Sequence, residues 1–175
     1  MTELIWDEQE YWRFIQNKLL DAKRVDIASY GVILYKQASN MLNMIKGRNI
    51  PCRLLIGAPP KNGFLKLKTN TSFDKCVEKA RSISKHIGHQ MTCRVLPKSH
   101  FKCVIIYGTK PVAILGGRNW SPSTMFDCSI VITDKKLITD IINKFSFTWD
   151  RAFMLDQNIN DATDYNRIYE PQYGT

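Results

Sequence analysis

The chain has 175 residues, is 44% hydrophobic and carries a net charge of +9. That length suits one domain with a substantial core and is too short for two comfortable ones, and no stretch approaches the ~20 apolar residues of a membrane span. The acidic start, Met1 to Glu10, lacks the apolar core of a secretory signal. The five cysteines (52, 76, 93, 103 and 128) form no C-x-x-C pair, so the expectation is a cytoplasmic, reducing setting in which they act as small buried hydrophobes.

Residues 7–22 predict a helix, with Tyr11, Ile15 and Leu19 at helical spacing. Residues 25–33 read as a strand. A helix over 36–46 follows, with Ala38, Met41, Leu42 and Ile45 on one side and Gly47 as its stop. Residues 52–56 are a second strand, closed by Pro59-Pro60. The connection from 58 to about 71 carries Lys61, Lys66 and Lys68, and a connection of that length is often a binding loop. Residues 72–87 show the clearest helical stripe, Phe73, Val77, Ala80, Ile83 and Ile87, with Gly88 to end it.

The string Lys85-His-Ile-Gly-His89 matches the nucleotide-binding tetrapeptide of class I aminoacyl-tRNA synthetases in letters only, because here it closes a helix instead of opening one. His86 and His89 also lack the nearby acids or cysteines that a metal would need. Strands follow near 92–96, 101–107, 111–116 and 128–133. A final helix over about 135–153 has Leu137 or Ile138, Ile141, Phe145 and Trp149 as its stripe. Residues 1–155 therefore read as one α/β domain, a mixed β-sheet sandwiched by helices. Residues 156–175 are an acidic tail, poorly packed or partner-docking.

The positive charge is concentrated. Residues 36–118 hold 16 Lys or Arg against two acids, Asp74 and Glu78, whereas the two flanks together hold 9 basic and 14 acidic residues. Such a field attracts polyanions, which makes nucleic acid the favoured partner, with an anionic membrane surface left open. Lys61, Lys66, Lys68, Lys98 and Arg118 are the candidates for phosphate contacts.

The same basic segment contains Ser99-His100-Phe101-Lys102 and, beyond two short apolar runs, Gly116-Gly117-Arg118-Asn119-Trp120-Ser121. If the first group lies on a strand, His100 and Lys102 share a face, and a hairpin can fold Asn119 and Ser121 back towards them. An acid-base or nucleophilic group, a fixed cation and neutral donors are what a phosphodiester site needs. Phe101 and Trp120 flank these residues and read as core packing ahead of base stacking.

This pattern resembles the HKD motif of the phospholipase D superfamily, H-x-K-x4-D followed by a small-residue turn with Asn and Ser/Thr. His100, Lys102, Asn119 and Ser121 occupy matching positions, and residues 24–30 and 51–57 resemble the superfamily's first two core strands. Tyr107 stands where the motif has Asp. Asp127 is the nearest candidate for the carboxylate that pairs with the histidine in many members.

The resemblance implies a phosphodiesterase that needs no metal or other cofactor and works through a phosphohistidine. With one motif per chain, it implies a homodimer in which each subunit supplies one histidine. A nuclease is the leading expectation. The alternatives are a catalytically silent nucleic-acid or protein-binding module and, last, a lipid phosphodiesterase.

Overall fold

The computed structural model describes residues 2–30, 36–59, 73–116 and 128–155. In chain order the elements are β1 (Thr2–Ile5), α1 (Glu8–Leu19), β2 (Arg24–Tyr30), α2 (Lys36–Gly47), β3 (Cys52–Ala58), α3 (Phe73–Ile87), β4 (Met91–Pro97), β5 (Cys103–Tyr107), β6 (Val112–Gly116), β7 (Ser129–Ile132), α4 (Lys135–Asp150) and β8 (Phe153–Met154).

The strands make one mixed sheet in the order β1-β7-β6-β5-β2-β3-β4-β8. The central β2, β3 and β4 run parallel, as their helical crossovers require, and the remaining neighbours pair antiparallel. The expected α/β sandwich is therefore present. Central strands such as β5, Cys-Val-Ile-Ile-Tyr, are apolar on both faces because both faces are covered.

One face packs against α1, α2 and α3 through Ile15, Leu19, Met41, Leu42, Ile45, Val77 and Ile83. The other packs against α4 through Ile138, Phe145 and Trp149. Asp7 caps α1 by accepting a hydrogen bond from the Glu10 amide at 2.9 Å, and Asp134 does the same for α4 with the Leu137 amide at 3.0 Å.

Several boundaries differ from the sequence reading, each for a local reason. Helix α2 is not stopped by Gly47, which is its last residue; Asn49 takes the left-handed turn at φ 56°, a conformation asparagine tolerates better than most residues. Gly88 ends α3 as expected, at φ 93°. Helix α4 stops at Asp150, and Phe153–Met154 leave it to pair with Arg94 and Val95 of β4.

On α4 it is Ile138 that enters the core, 3% exposed, while Leu137 is 46% exposed. Strand β1 was not expected, since its alternation is too short to register in four residues. The tail over 156–175 lies outside the described residues. Cys52, Cys76, Cys93 and Cys103 are buried thiols, Cys128 is half-buried, and none of the five is in a disulfide. Burial pushes the Cys93 thiol up to about 12.

Candidate active site

The carboxyl ends of parallel strands are where open α/β sheets present their ligand-facing edge. Here β2 ends at Tyr30 and β3 at Ala58. The chain that leaves β4 crosses this edge before entering β5. Lys98 turns it in the left-handed region at φ 57°, its amide donating to the Ala58 carbonyl at 2.7 Å.

The crossing passes directly over Gly57. A Cβ at that position would stand 2.0 Å from the Ser99 carbonyl oxygen and 3.2 Å from the Tyr30 ring. Only a glycine lets the two backbones approach so closely, so Gly57 sets the position of the segment that carries His100.

The strand reading of that segment needs correction. β5 begins at Cys103, not at 101, so His100 and Lys102 sit in the connection leading into it. They are not placed side by side by strand alternation. The exposed His100 imidazole stacks on Tyr30, ring centroids 3.9 Å apart with 28° between planes. Half-buried Lys102 lines a small pit with Tyr11 of α1, Ala28 of β2, Gly116 of β6 and Ser129 of β7.

Tyr30 was missed by the sequence reading, because nothing local marks which aromatic will meet a histidine 70 positions away. Phe101 turns into the α4 side of the core, 6.4 Å from the Phe145 ring, as expected for packing.

Asn119, Ser121, Asp127, Arg118, Lys61, Lys66 and Lys68 lie outside the described residues. Gly116 and Ser129, which pair in the β6–β7 ladder on either side of residues 117–127, both line the Lys102 pit. Among the described residues, no three His, Cys, Asp or Glu side chains gather closely enough to hold a metal ion. No helix among them is long and apolar enough to cross a membrane.

At the opposite end of the sheet, on the α4 face, lies a cluster that the sequence reading did not identify. Asp26 is completely buried. Arg53 donates to it through Nε at 2.8 Å and a terminal nitrogen at 2.6 Å, and Arg24 does so at 3.2 and 2.6 Å. The Tyr107 hydroxyl donates to the same carboxylate at 2.6 Å.

The Arg53 guanidinium stacks 4.9 Å from the Phe145 ring and 5.3 Å from Trp149, while Arg24 lies 4.4 Å from the Tyr107 ring. Burial alone would raise the Asp26 carboxyl. The hydrogen bonds from Arg53, Arg24 and Tyr107 outweigh it and hold the group below its ordinary range. Burial first, and the neighbouring carboxylate second, push the Tyr107 phenol well above its ordinary value.

Tyr107 thus takes a structural part at the far end of β5 from the His100 segment. A charged residue in an otherwise apolar strand, Arg24-Val-Asp-Ile-Ala, was the available signal, because a buried carboxylate must find a partner.

No protein-family model matches the sequence, and no curated protein does. Solved structures do share the fold. Nuc of Salmonella typhimurium, a phospholipase D family member, superposes with a TM-score of 0.61 at 12% identity, over 88% of this chain and 97% of that one. Phosphatidylserine synthase of Haemophilus influenzae gives 0.62 at 12% identity, over 88% and 38%. TrmBL2, an archaeal chromatin protein whose structure shows a novel mode of DNA binding, gives 0.54 at 14% identity, over 87% and 53%. The chain has the phospholipase D-like α/β fold. A fold shared by a synthase and a chromatin protein leaves the substrate to be argued from the site.

Proposed function

We propose that the protein is a phosphodiesterase acting on nucleic acid, with His100 as its reacting group. The observation that carries this reading is the position of His100 and Lys102. On a phospholipase D-like sheet they lie at the edge where β2 and β3 end, on a segment seated by Gly57.

In the proposed reaction, His100 of one subunit attacks phosphorus and expels the first alcohol oxygen, and His100 of the second subunit protonates that oxygen as it leaves. The second histidine then takes a proton from water, which attacks the phosphohistidine and frees the nitrogen. Lys102 and Asn119 would neutralise and orient the non-bridging oxygens as charge builds, with Ser121 as a further donor and Asp127 as a carboxylate partner for the imidazole. Each chain carries a single His-x-Lys pair, so the reading requires a homodimer with a shared site.

Nucleic acid is preferred over lipid because of the charge excess across residues 36–118, with Lys61, Lys66, Lys68, Lys98 and Arg118 proposed as phosphate contacts. DNA binding by the chromatin protein of the same fold points the same way. The alternative of a catalytically silent module has in its favour Tyr107, in place of the motif's Asp, and the unassigned carboxylate partner near Asp127. Tyr107 itself donates to Asp26 at the other end of β5 from His100, which supports keeping the catalytic reading first.

The test is cleavage of DNA and RNA in EDTA by wild type and by His100→Ala. We expect cleavage by wild type and a loss of at least ~1,000-fold in the variant, a drop in the range produced by removing a covalent catalyst. Tight binding without cleavage by wild type at any salt concentration would overturn the enzymatic reading. A monomeric mass in solution would overturn the shared site.

A further inference from the structure

Two depressions meet at the amino-terminal ends of β3 and β4, the sheet edge opposite His100. One, of about 340 Å³, is lined by Arg24, Arg53, Asn49, His89, Gln90 and Thr92, among others. The other, of about 820 Å³, lies between α3 and β4 and includes Arg81, Lys85, His89, Thr92, Cys93 and Met154. His89 and Thr92 line both, so the two adjoin and are taken together as one groove.

Its described lining holds Arg24, Arg53, His89, Lys85 and Arg81 and no carboxylate. Asp26 offsets one of the two guanidinium charges, leaving the cluster a net +1, but presents no oxygen to the surface. It is completely covered, whereas the Arg24 side chain is 41% exposed and that of Arg53 24% exposed, so the outward face of the cluster is guanidinium.

We infer that this groove is a second binding surface for the phosphodiester backbone of a nucleic acid, separate from the site of cleavage. Along the seven residues of β3 it stands on the order of 20 Å from the His100 edge. The inference rests on the nucleic-acid reading above and adds a surface to it.

Two features favour a polymer of phosphates over a single anion. The cations are spread over several elements and not gathered at one point: Arg24 and Arg53 on neighbouring strands, His89 beyond the end of α3, and Lys85 and Arg81 one turn apart along that helix. The arginines are also pre-positioned. Asp26 holds Arg24 and Arg53, and the Leu155 carbonyl accepts two hydrogen bonds from Arg81 at 2.8 and 3.3 Å, so little side-chain freedom is left to lose on binding. Met91, Cys93 and Met154 give the wider part an apolar floor against which sugars and bases can lie.

The experiment compares Lys85→Glu with Lys135→Glu, an equal charge change on exposed α4 outside the groove, using fluorescence anisotropy of a labelled 20-nucleotide DNA over a salt series. Lys85→Glu should weaken binding about tenfold and lower the slope of log K against log salt by about one. Lys135→Glu should change binding less than about twofold. Lys85→Gln and His89→Gln, which add no negative charge, should give smaller losses of the same sign.

Equal effects of Lys85→Glu and Lys135→Glu would overturn the groove while leaving the nucleic-acid reading in place. So would displacement of the DNA by polyglutamate as effective as by unlabelled DNA, since the groove would then be a site for acidic protein. Failure of the wild-type protein to bind DNA or RNA at low salt would overturn the nucleic-acid reading and the groove together.

Discussion

The two ends of this sheet handle charge in opposite ways. At the amino-terminal ends of β2 and β3, a buried carboxylate is satisfied by two guanidiniums and a phenol. Every partner comes from within the fold, and the result is a rigid cluster. At the other end, His100 is exposed and stacks on the Tyr30 ring, on a connection whose path is set by a backbone contact over Gly57. The first end is built to stay as it is, because an unmade hydrogen bond to a buried charge is costly. The second keeps its imidazole accessible to solvent, as a group that must meet a substrate requires. On the proposed reading, stability and chemistry fall to different ends of the same strands.

This division predicts that the two ends respond to substitution in opposite ways. The largest effect on stability is expected from Asp26→Ala, which strands Arg24 and Arg53 and should cost about 3–5 kcal/mol by urea unfolding. His100→Ala should move the unfolding midpoint by less than about 0.5 kcal/mol while abolishing cleavage. If His100→Ala destabilised the fold as much as Asp26→Ala, the proposed separation would be wrong.

Gly57→Ala comes next. Its Cβ must displace the Ser99 backbone, at a cost of about 1–3 kcal/mol, and the displaced His100 should take activity down further than the stability loss explains. Cleavage rates measured well below the melting temperature would show this, and full activity in Gly57→Ala would remove the glycine from the account of the site.

The smaller effects lie in pH dependence. The Asp26 carboxyl is lower in the folded than in the unfolded chain. The stability this brings is fully present above ~pH 4 and is lost as pH falls through the folded-state value. Asp26→Asn, though less stable at neutral pH, should show a flatter dependence on acidification in a urea-midpoint series.

The Tyr107 phenol is raised, so its contribution is complete below ~pH 10 and declines as pH climbs towards the folded-state value. Tyr107→Phe should cost about 1 kcal/mol at neutral pH and remove that alkaline decline. An unchanged profile in either variant would mean that the cluster is not the titrating unit.

Much of the fold was legible because its signals are local. The stripe from Phe73 to Ile87 and the apolar runs of β3, β5 and β6 declare period and burial within a few residues. Errors arose where a neighbour distant in sequence decides the outcome. Phe153 and Met154 continue the pattern of α4, yet pairing with β4 takes them into a strand. Leu137 and Ile138 are equivalent by composition, and only the angle at which α4 meets the sheet selects Ile138.

At the candidate site, the chain alone settles which chemical groups are present: one His-x-Lys pair, an Asn-x-Ser soon after Gly116-Gly117, and a surplus of cations around them. Their pattern was enough to point to phosphate chemistry. Tertiary structure decided what stands beside them. It put His100 on Tyr30 and before β5, lodged the connection over Gly57, and drew Tyr107 away to Asp26. The physical reason is register: which residues meet across β2, β3 and β5 is set by burial of the whole sheet, and no local window of the chain contains that information.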